Sequence, residues 1–458
     1  MRHHDLVVIG TGSGNSIIDD RFDHLDVALV EHGVFGGTCL NVGCIPTKMY
    51  VYPAAVARQV QRAGTYGLDA TLDKVRWTEI RDRVFGRIDP ISAGGREYRV
   101  GPRTPNITVY EGHAAFTGPK AFTIAMGDGG TEAISADRVV LAAGARPSVP
   151  DVIAASGVPF HTSDTIMRID EVPEHLIVVG AGYIGAEFAH VFSSFGSRVT
   201  IIGRGDRLLR SQDEDVAERF TAAVRDRWDV RLGHAVAAVA GGPGAVEVEL
   251  TDGSVIGGDV LLVATGRVPN GDRLNLPAAG VAVHGDGRVV VDAHGRTTAD
   301  GVWALGDVCS PFQLKHVANA EGRVVAHNLA NPGDLRSFDH HAVPWGVFTD
   351  PQIAGVGLTE AQCREQRLDY VTKVQAYGDV AYGWAMEDTV DLCKVIAERG
   401  TGRILGAHVM GPQATTVIQP LIQAMAFGQD ARAVATGQYW IHPALPEVVE
   451  NALLGLDI

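Results

Sequence analysis

Short apolar runs recur along the chain: Leu6-Val7-Val8-Ile9, Val27-Ala28-Leu29-Val30, Leu176-Ile177-Val178-Val179 and Val199-Thr200-Ile201-Ile202. Each is too short for a helix and has no polar alternation, so each reads as a parallel strand buried on both faces. The first and third runs pass directly into glycine-rich turns. These are Gly10-Thr11-Gly12-Ser13-Gly14-Asn15 and Gly180-Ala181-Gly182-Tyr183-Ile184-Gly185. The pattern predicts a helix from about Ser16 after the first turn and a helix over Ala186 to Phe195 after the second. Two further strands, Arg138 to Gly144 and Leu261 to Arg267, end on small residues, as where a backbone or a planar group comes close. Residues 51–105 read as helical and amphipathic, with Val56, Val60, Val84 and Ile88 as core positions. Arg146 to Pro150 reads as a linker. Gly301 to Asp307 is expected to be a strand ending in an acid, followed by a helix from Leu314 to about Leu329. From about Asp339 the pattern changes. Strands around Val371 to Val380 and Leu392 to Ile396, with helices near 417–427 and 446–454, predict an α+β domain.

Strand, glycine turn, helix and strand thus occur twice, about 170 residues apart, which implies two dinucleotide sites. In the first, Gly10, Gly12 and Gly14 lie in the turn. Glu31 ends the next strand, where an acid would accept from a ribose hydroxyl. Asn15 departs from the pattern, because it stands where a third glycine would allow close helix–strand packing. The second turn is complete in Gly180, Gly182 and Gly185. Its following strand ends in Gly203 and not in an acid, with Arg204, Arg207 and Arg210 close behind. Guanidinium groups there suit a 2′-phosphate, so NADPH is expected in place of NADH.

Composition narrows the function. With 458 residues, 46% hydrophobic and 20% charged, the chain is long enough for two to four domains of ordinary globular make-up. A net charge of −15 argues against nucleic acid and anionic membrane as partners. Any phosphate site must then be built locally from backbone N–H groups or clustered cations. No apolar stretch reaches membrane-spanning length. Met1 leads within a few residues into the first strand, leaving no room for a signal peptide, so the expected compartment is the cytoplasm.

Two of only five cysteines fall in Gly36-Gly37-Thr38-Cys39-Leu40-Asn41-Val42-Gly43-Cys44-Ile45-Pro46-Thr47-Lys48. Gly43 and Pro46 fit a helix entry, and a thiol near a helix N-terminus is favoured as thiolate. Lys48 follows Cys44 at i, i+4 and shares its helix face. The stretch reads as a redox pair with one activated thiolate and a cation beside it. Two buried cysteines or half of a metal site are the other readings. No second Cys/His cluster at ligand spacing supports a metal, and His24 and His32 stand alone. Near the C-terminus, His442-Pro443-Ala444-Leu445-Pro446-Glu447 places a carboxylate where it could orient a histidine and raise its basicity.

In this order, the two dinucleotide units, the Cys-x4-Cys stretch, Ala264-Thr265-Gly266-Arg267, Leu305-Gly306-Asp307 and the terminal His-Pro…Glu resemble the FAD-dependent pyridine nucleotide–disulfide oxidoreductases over nearly the whole chain. The resemblance implies an α/β fold with two Rossmann-like domains and a C-terminal α+β dimerisation domain. The implied segments are 1–148 (FAD, first part), 149–267 (NADPH), 268–338 (FAD, return) and 339–458 (dimerisation). It implies FAD near Gly10, Gly12, Gly14, Glu31, Gly37, Thr38, Lys48, Ala143, Gly144, Gly306 and Asp307. It implies NADPH near Gly180, Gly182, Tyr183, Ile184, Gly185, Arg204, Arg210 and Gly266, with Tyr183 as a lid over the nicotinamide site. It implies a Cys39–Cys44 disulfide, with Cys44 facing the flavin and Cys39 exchanging with substrate. Lys48 would pair with Glu187, and His442, held by Glu447, would act as acid–base from the partner subunit of a homodimer. Cys309, Cys363 and Cys393 are expected to be inert. Gly10 to Ser16, Tyr377 to Asp388 and Gln438 to Glu447 resemble in particular the members that reduce mycothione, the disulfide of a sugar-based thiol. Members acting on lipoamide or glutathione disulfide are the alternative within the family, and a non-catalytic flavin redox sensor is the alternative outside it.

Overall fold

The computed structural model describes residues 1–458, which pack into two units. One comprises Met1–Thr47, Thr78–Ser148 and Arg267–His340. The other comprises Lys48–Trp77, Val149–Gly266 and His341–Ile458.

In the first unit, strand β1 (Arg2–Ile9) lies between β2 (Val27–Glu31) and β5 (Thr131–Leu141), both parallel to it. Strand β3 (Ile107–Gly118) extends the parallel sheet beyond β2, and Val302–Ala304 extends it beyond β5. The antiparallel strand β4 (Ala121–Met126) joins β3 to β5. Successive residues of β1 enter opposite cores. Leu6 and Val8 pack with Ile17, Phe22 and Val325, whereas Val7 and Ile9 pack with Val139, Leu141 and Val302. That two-sided burial is why these strands lack polar alternation. The strand order reverses between β1 and β5, and such a topological switch point is where ligands of open α/β sheets bind. The Gly10–Asn15 turn lies at the C-terminal end of β1.

The second unit contains a four-stranded parallel sheet, in the order Asp229–Leu232, Arg198–Gly203, His175–Val179, Val260–Val263. A three-stranded antiparallel sheet follows the third of these in sequence. The C-terminal part is a five-stranded antiparallel sheet, in the order Pro344–Val347, Ile353–Gly357, Ile404–Met410, Leu392–Glu398, Tyr370–Ala376. Helices including Gln419–Ala426, Ala431–Thr436 and Glu447–Leu454 pack with this sheet in one core. No helix is long and apolar enough to cross a membrane.

Several sequence expectations need correction. No α-helix begins at Ser16. One 3₁₀ turn covers Gly14–Ile17 and another Asp20–Phe22. The helical stretch over 51–105 is two helices, α2 (Cys44–Arg62) and α3 (Trp77–Val100), and residues 68–76 between them are irregular. The cysteine stretch carries a short helix of its own, α1 (Gly37–Asn41), before α2. The expected linker contains a strand, Ala145–Pro147, paired antiparallel with Arg267–Pro269. The strand beginning near Val371 ends at Ala376, where backbone pairing gives way to a 3₁₀ turn and the short helix Ala381–Ala385.

Candidate active site

The first unit gathers its chemistry around the Gly10–Asn15 turn. Helix α1 docks on it through glycine. A Cβ on Gly37 would come within 2.8 Å of the Gly12 Cα, so only hydrogen fits between the two backbones. The remaining space beside Gly12 is open, as a closely approaching diphosphate requires. Close packing against the strand falls to Gly14, where a Cβ would meet the Ala142 Cβ at 2.6 Å. The third-glycine function therefore sits one residue before the position expected, and Asn15 is released from it. Glu31 is buried. Its Oε2 accepts from the Thr11 N–H (2.9 Å) and hydroxyl (2.6 Å), and its Oε1 accepts from the Gly33 N–H (2.8 Å). These bonds hold the carboxylate at the end of β2, with acceptor capacity left for a hydroxyl.

Cys39 lies in α1 and Cys44 opens α2, with Gly43 between helices. A Cβ on Gly43 would sit 2.9 Å from the Thr38 carbonyl, which is how tightly the chain turns to bring the two cysteines together. Both are thiols, and no disulfide joins them. The Cys39 thiol is pushed far above its ordinary value, chiefly by its hydrogen bond with Cys44, then by burial and by charge on Cys44. Lys315 acts in the opposite direction. Cys44 stands at the start of α2, where the positive end of the helix favours a thiolate.

Around this pair the return segment brings Gly306, Asp307, Arg267 and Lys315. Burial raises the Asp307 carboxyl above its usual range, against the opposing effect of Arg267, whose Nε lies 4.0 Å from Oδ2. Arg267 also reaches the Thr38 hydroxyl at 3.5 Å and donates to the Ala145 carbonyl at 2.5 Å. Lys315, the first residue of the helix Lys315–Ala330, donates to the Ser13 hydroxyl at 2.9 Å. Ala143 and Gly144 are held by Asn270, which donates to their carbonyls through its side chain and its backbone N–H. Cradle, open backbone approach, end-of-strand acid and flanking cations fit an FAD-type diphosphate and its sugars.

In the second unit, the turn at Gly180–Gly185 has the same construction. A Cβ at Gly185 would collide with the Gly180 carbonyl, whereas Gly182 faces open space. The helix Tyr183–Ser194 starts earlier than expected, with Gly182 as its N-cap and Tyr183 partly exposed. Ile184 is half-buried beside it, and Gly266 follows the strand Val260–Val263 with φ +122°. At Gly203 a Cβ would meet the Ala181 Cβ at 2.6 Å, so no acid can end this strand. Arg204 and Arg210 are exposed, with the Arg210 side chain lying along Gly205. Arg207 is committed elsewhere, to Asp206 and to Glu218 at 2.9 Å.

Lys48 and Glu187 meet in this unit. The ammonium lies 2.7 Å from both carboxylate oxygens, and Oε1 also accepts from the Phe348 N–H at 3.0 Å. The Lys48 Nζ lies 4.4 Å from the centre of the Phe348 ring. His442 is exposed, with Nδ1 2.5 Å from Glu447 Oε1. The Glu447 carboxyl is held below its usual range, first by that bond. Its other oxygen accepts from the Ala444 N–H, so Glu447 is fixed before it orients the ring. Cys309, Cys363 and Cys393 are buried, and burial raises all three thiols.

Sequence reasoning assigned no role to Lys315, Phe348 or Arg99. Lys315 carried a signal, a cation opening the helix after a Gly-Asp strand end. Phe348 contributes a backbone N–H and a ring face, which leave no pattern. Arg267 was visible within its motif, but the pattern did not say what it touches.

Residues 4–322 match the family model described as pyridine nucleotide-disulphide oxidoreductase, and residues 343–453 match the dimerisation domain of that family. Mycothione reductase of Mycobacterium tuberculosis is 56% identical over 462 residues, covering 100% of both chains. Glutathione reductase of Burkholderia cepacia is 31% identical, covering 97% of each. Among solved structures, the Cu(II) complex of the HOCl-induced flavoprotein disulfide reductase RclA from Escherichia coli superposes with a TM-score of 0.86 at 28% identity, covering 99% of each chain.

Proposed function

The chain belongs to the pyridine nucleotide-disulphide oxidoreductases, and from that premise we propose that it reduces mycothione to mycothiol as a cytoplasmic homodimer, maintaining the thiol pool of its cell. It is a disulfide oxidoreductase that uses FAD and NADPH. The observation that carries the mechanism is the Cys39–Cys44 pair, hydrogen-bonded to each other where α2 begins.

Gly10, Gly12, Gly14, Glu31, Gly37, Thr38, Ala143, Gly144, Gly306 and Asp307 would hold FAD, with Lys48 placed by Glu187 to meet it. Gly180, Gly182, Tyr183, Ile184, Gly185 and Gly266 would hold NADPH, with Arg204 and Arg210 on its 2′-phosphate. When bound, these cofactors supply an electron pair that opens the Cys39–Cys44 disulfide. Lys315 acts on Cys39 as a cation and not as a base, so exchange needs a proton acceptor brought to the thiol. His442 fills that role from the partner subunit, with Nδ1 held by Glu447 and Nε2 left to exchange the proton. The Cys39 sulfur attacks one sulfur of the substrate disulfide, and the leaving thiolate takes the proton from His442. Cys44, as thiolate, then attacks the Cys39 sulfur and releases the second product as a thiolate, which takes its proton from solvent. The Cys39–Cys44 disulfide re-forms, and two electrons have passed to the substrate.

Mycothione is favoured over glutathione disulfide by the full-length likeness to the mycobacterial enzyme. The test is NADPH oxidation by the purified protein with mycothione, glutathione disulfide and lipoamide in parallel. Turnover with mycothione alone is expected. Turnover with another disulfide but not mycothione overturns the substrate, and a preference for NADH overturns the role of Arg204.

A further inference from the structure

The glycine-rich turn of a dinucleotide unit ordinarily opens an α-helix, whose N-terminal N–H groups and dipole face the diphosphate. Here the chain after Gly14 makes one 3₁₀ turn and then extends at Ile18. The macrodipole of a single 3₁₀ turn is small, and its last carbonyls have no helical partners.

Arg99, in the last turn of α3, supplies donors to them. Its Nε donates to the Asn15 side-chain oxygen at 2.8 Å. Its Nη2 donates to the backbone carbonyls of Asn15 at 2.9 Å and Ile18 at 3.1 Å. The Arg99 backbone carbonyl is itself pinned by the Thr104 hydroxyl at 3.1 Å. Arg99 is only 8% exposed, and no carboxylate bonds it. Beside these carbonyls the guanidinium meets only the Tyr98 ring, whose centre lies 5.4 Å from Cζ, so no anionic side chain compensates its charge. Asn15, the residue that breaks the glycine pattern, is the one that anchors it.

We propose that Arg99 is a positioning residue for the FAD diphosphate, replacing the missing first helix of the fold by bracing the Gly10–Asn15 turn and by supplying a fixed positive charge beside it. Asn15 is its docking point. Lys315, which fixes Ser13 of the same turn, is a second cation in this arrangement. The inference rests on the FAD reading of the first unit.

The test uses full-length apoprotein, freed of flavin and titrated with FAD by flavin fluorescence at several salt concentrations. Wild-type apoprotein is expected to bind FAD with an affinity that falls as salt rises. Arg99→Gln, which keeps donors but removes the charge, is expected to weaken FAD on the order of tenfold and to flatten the salt dependence. Arg99→Lys keeps the charge without the fork, so it should retain the salt dependence at reduced affinity. Folded Arg99→Gln apoprotein that binds FAD as tightly as wild type overturns the proposal. If Arg99→Gln does not fold, Asn15→Ala decides. Loss of one of three bonds should weaken FAD severalfold, and unchanged affinity overturns the proposal. Wild-type apoprotein that takes up no FAD at all sinks the cofactor reading, and the role of Arg99 with it.

Discussion

The Cys39 thiol is pushed up by its hydrogen bond with Cys44, then by burial of its own sulfur and by charge on Cys44. A nucleophile in that state waits for a base, which gives Cys39 and His442 separable roles. Cys39→Ser should abolish disulfide reduction while NADPH still bleaches the flavin, as stopped-flow absorbance would show. Disulfide turnover by that variant at the wild-type rate would remove Cys39 from the exchange step. Asp391 offers a second test at this scale. It is buried, and burial together with its hydrogen bond to Asp388 raises its carboxyl to about 9, with Asp350 adding to the rise and Arg62 opposing it. The folded chain thus keeps a proton there that the unfolded chain loses above its ordinary carboxyl pKa. Stability from this group is intact at low pH and is lost as pH rises toward about 9, by up to about 1.4 kcal/mol per pH unit. Asp391→Asn should flatten that slope in urea titrations between neutral and alkaline pH, and an unchanged slope would show that another group carries it.

At the scale of elements, the loop after Gly203 in the second unit hangs between two anchors. The Leu209 N–H donates to the Ala181 carbonyl in the glycine turn, although Leu209 itself takes the left-handed backbone at φ +52°. Beyond it, Asp213 caps the helix Glu214–Val224 and accepts from Lys394 at 2.8 Å. Lys394 is fully buried and also bonds Asp215 and Glu360, both at 2.6 Å. Three carboxylates around one ammonium tolerate its loss poorly, because each keeps its charge when the cation is gone. Lys394→Met should cost roughly 3–5 kcal/mol in chemical denaturation. It should also raise the KM for NADPH more than that for NADH, since the loop carrying Arg204 and Arg210 loses its downstream anchor. Equal effects on the two nucleotides would confine Lys394 to stability.

For the whole molecule, the proposed catalysis needs two copies, because in it the exchanging thiol and its acid–base partner would come from different subunits. Cys39→Ser and Histidine 442 replaced by alanine (H442A) should each be inactive alone. Refolded together in equal amounts, they should recover about a quarter of the wild-type activity. Half of the dimers are then mixed, and each mixed dimer has one complete site of two. No recovery, despite dimers of normal size, would place His442 with the cysteines of its own chain. The exposed apolar residues Tyr439 and Ile441, next to His442 in sequence, are of the kind a second copy would cover.

The sequence by itself determined the local chemistry. Paired glycine turns, Cys39 and Cys44 at a helix entry, Gly203 before Arg204, and His442 five residues before Glu447 depend on short-range backbone geometry, which neighbouring residues dictate. The strands buried on both faces were legible for the same reason, since their unbroken apolar runs need no distant partner to be recognised. The first helix was misread because Asn15 bonds a guanidinium 84 residues away, and no local pattern encodes that exchange. Lys394 among its carboxylates, Phe348 against Glu187 and Lys315 on Ser13 were likewise settled only in three dimensions. Each joins segments far apart in the chain, and only burial, which makes an unpaired charge or carbonyl costly, forces such partners together.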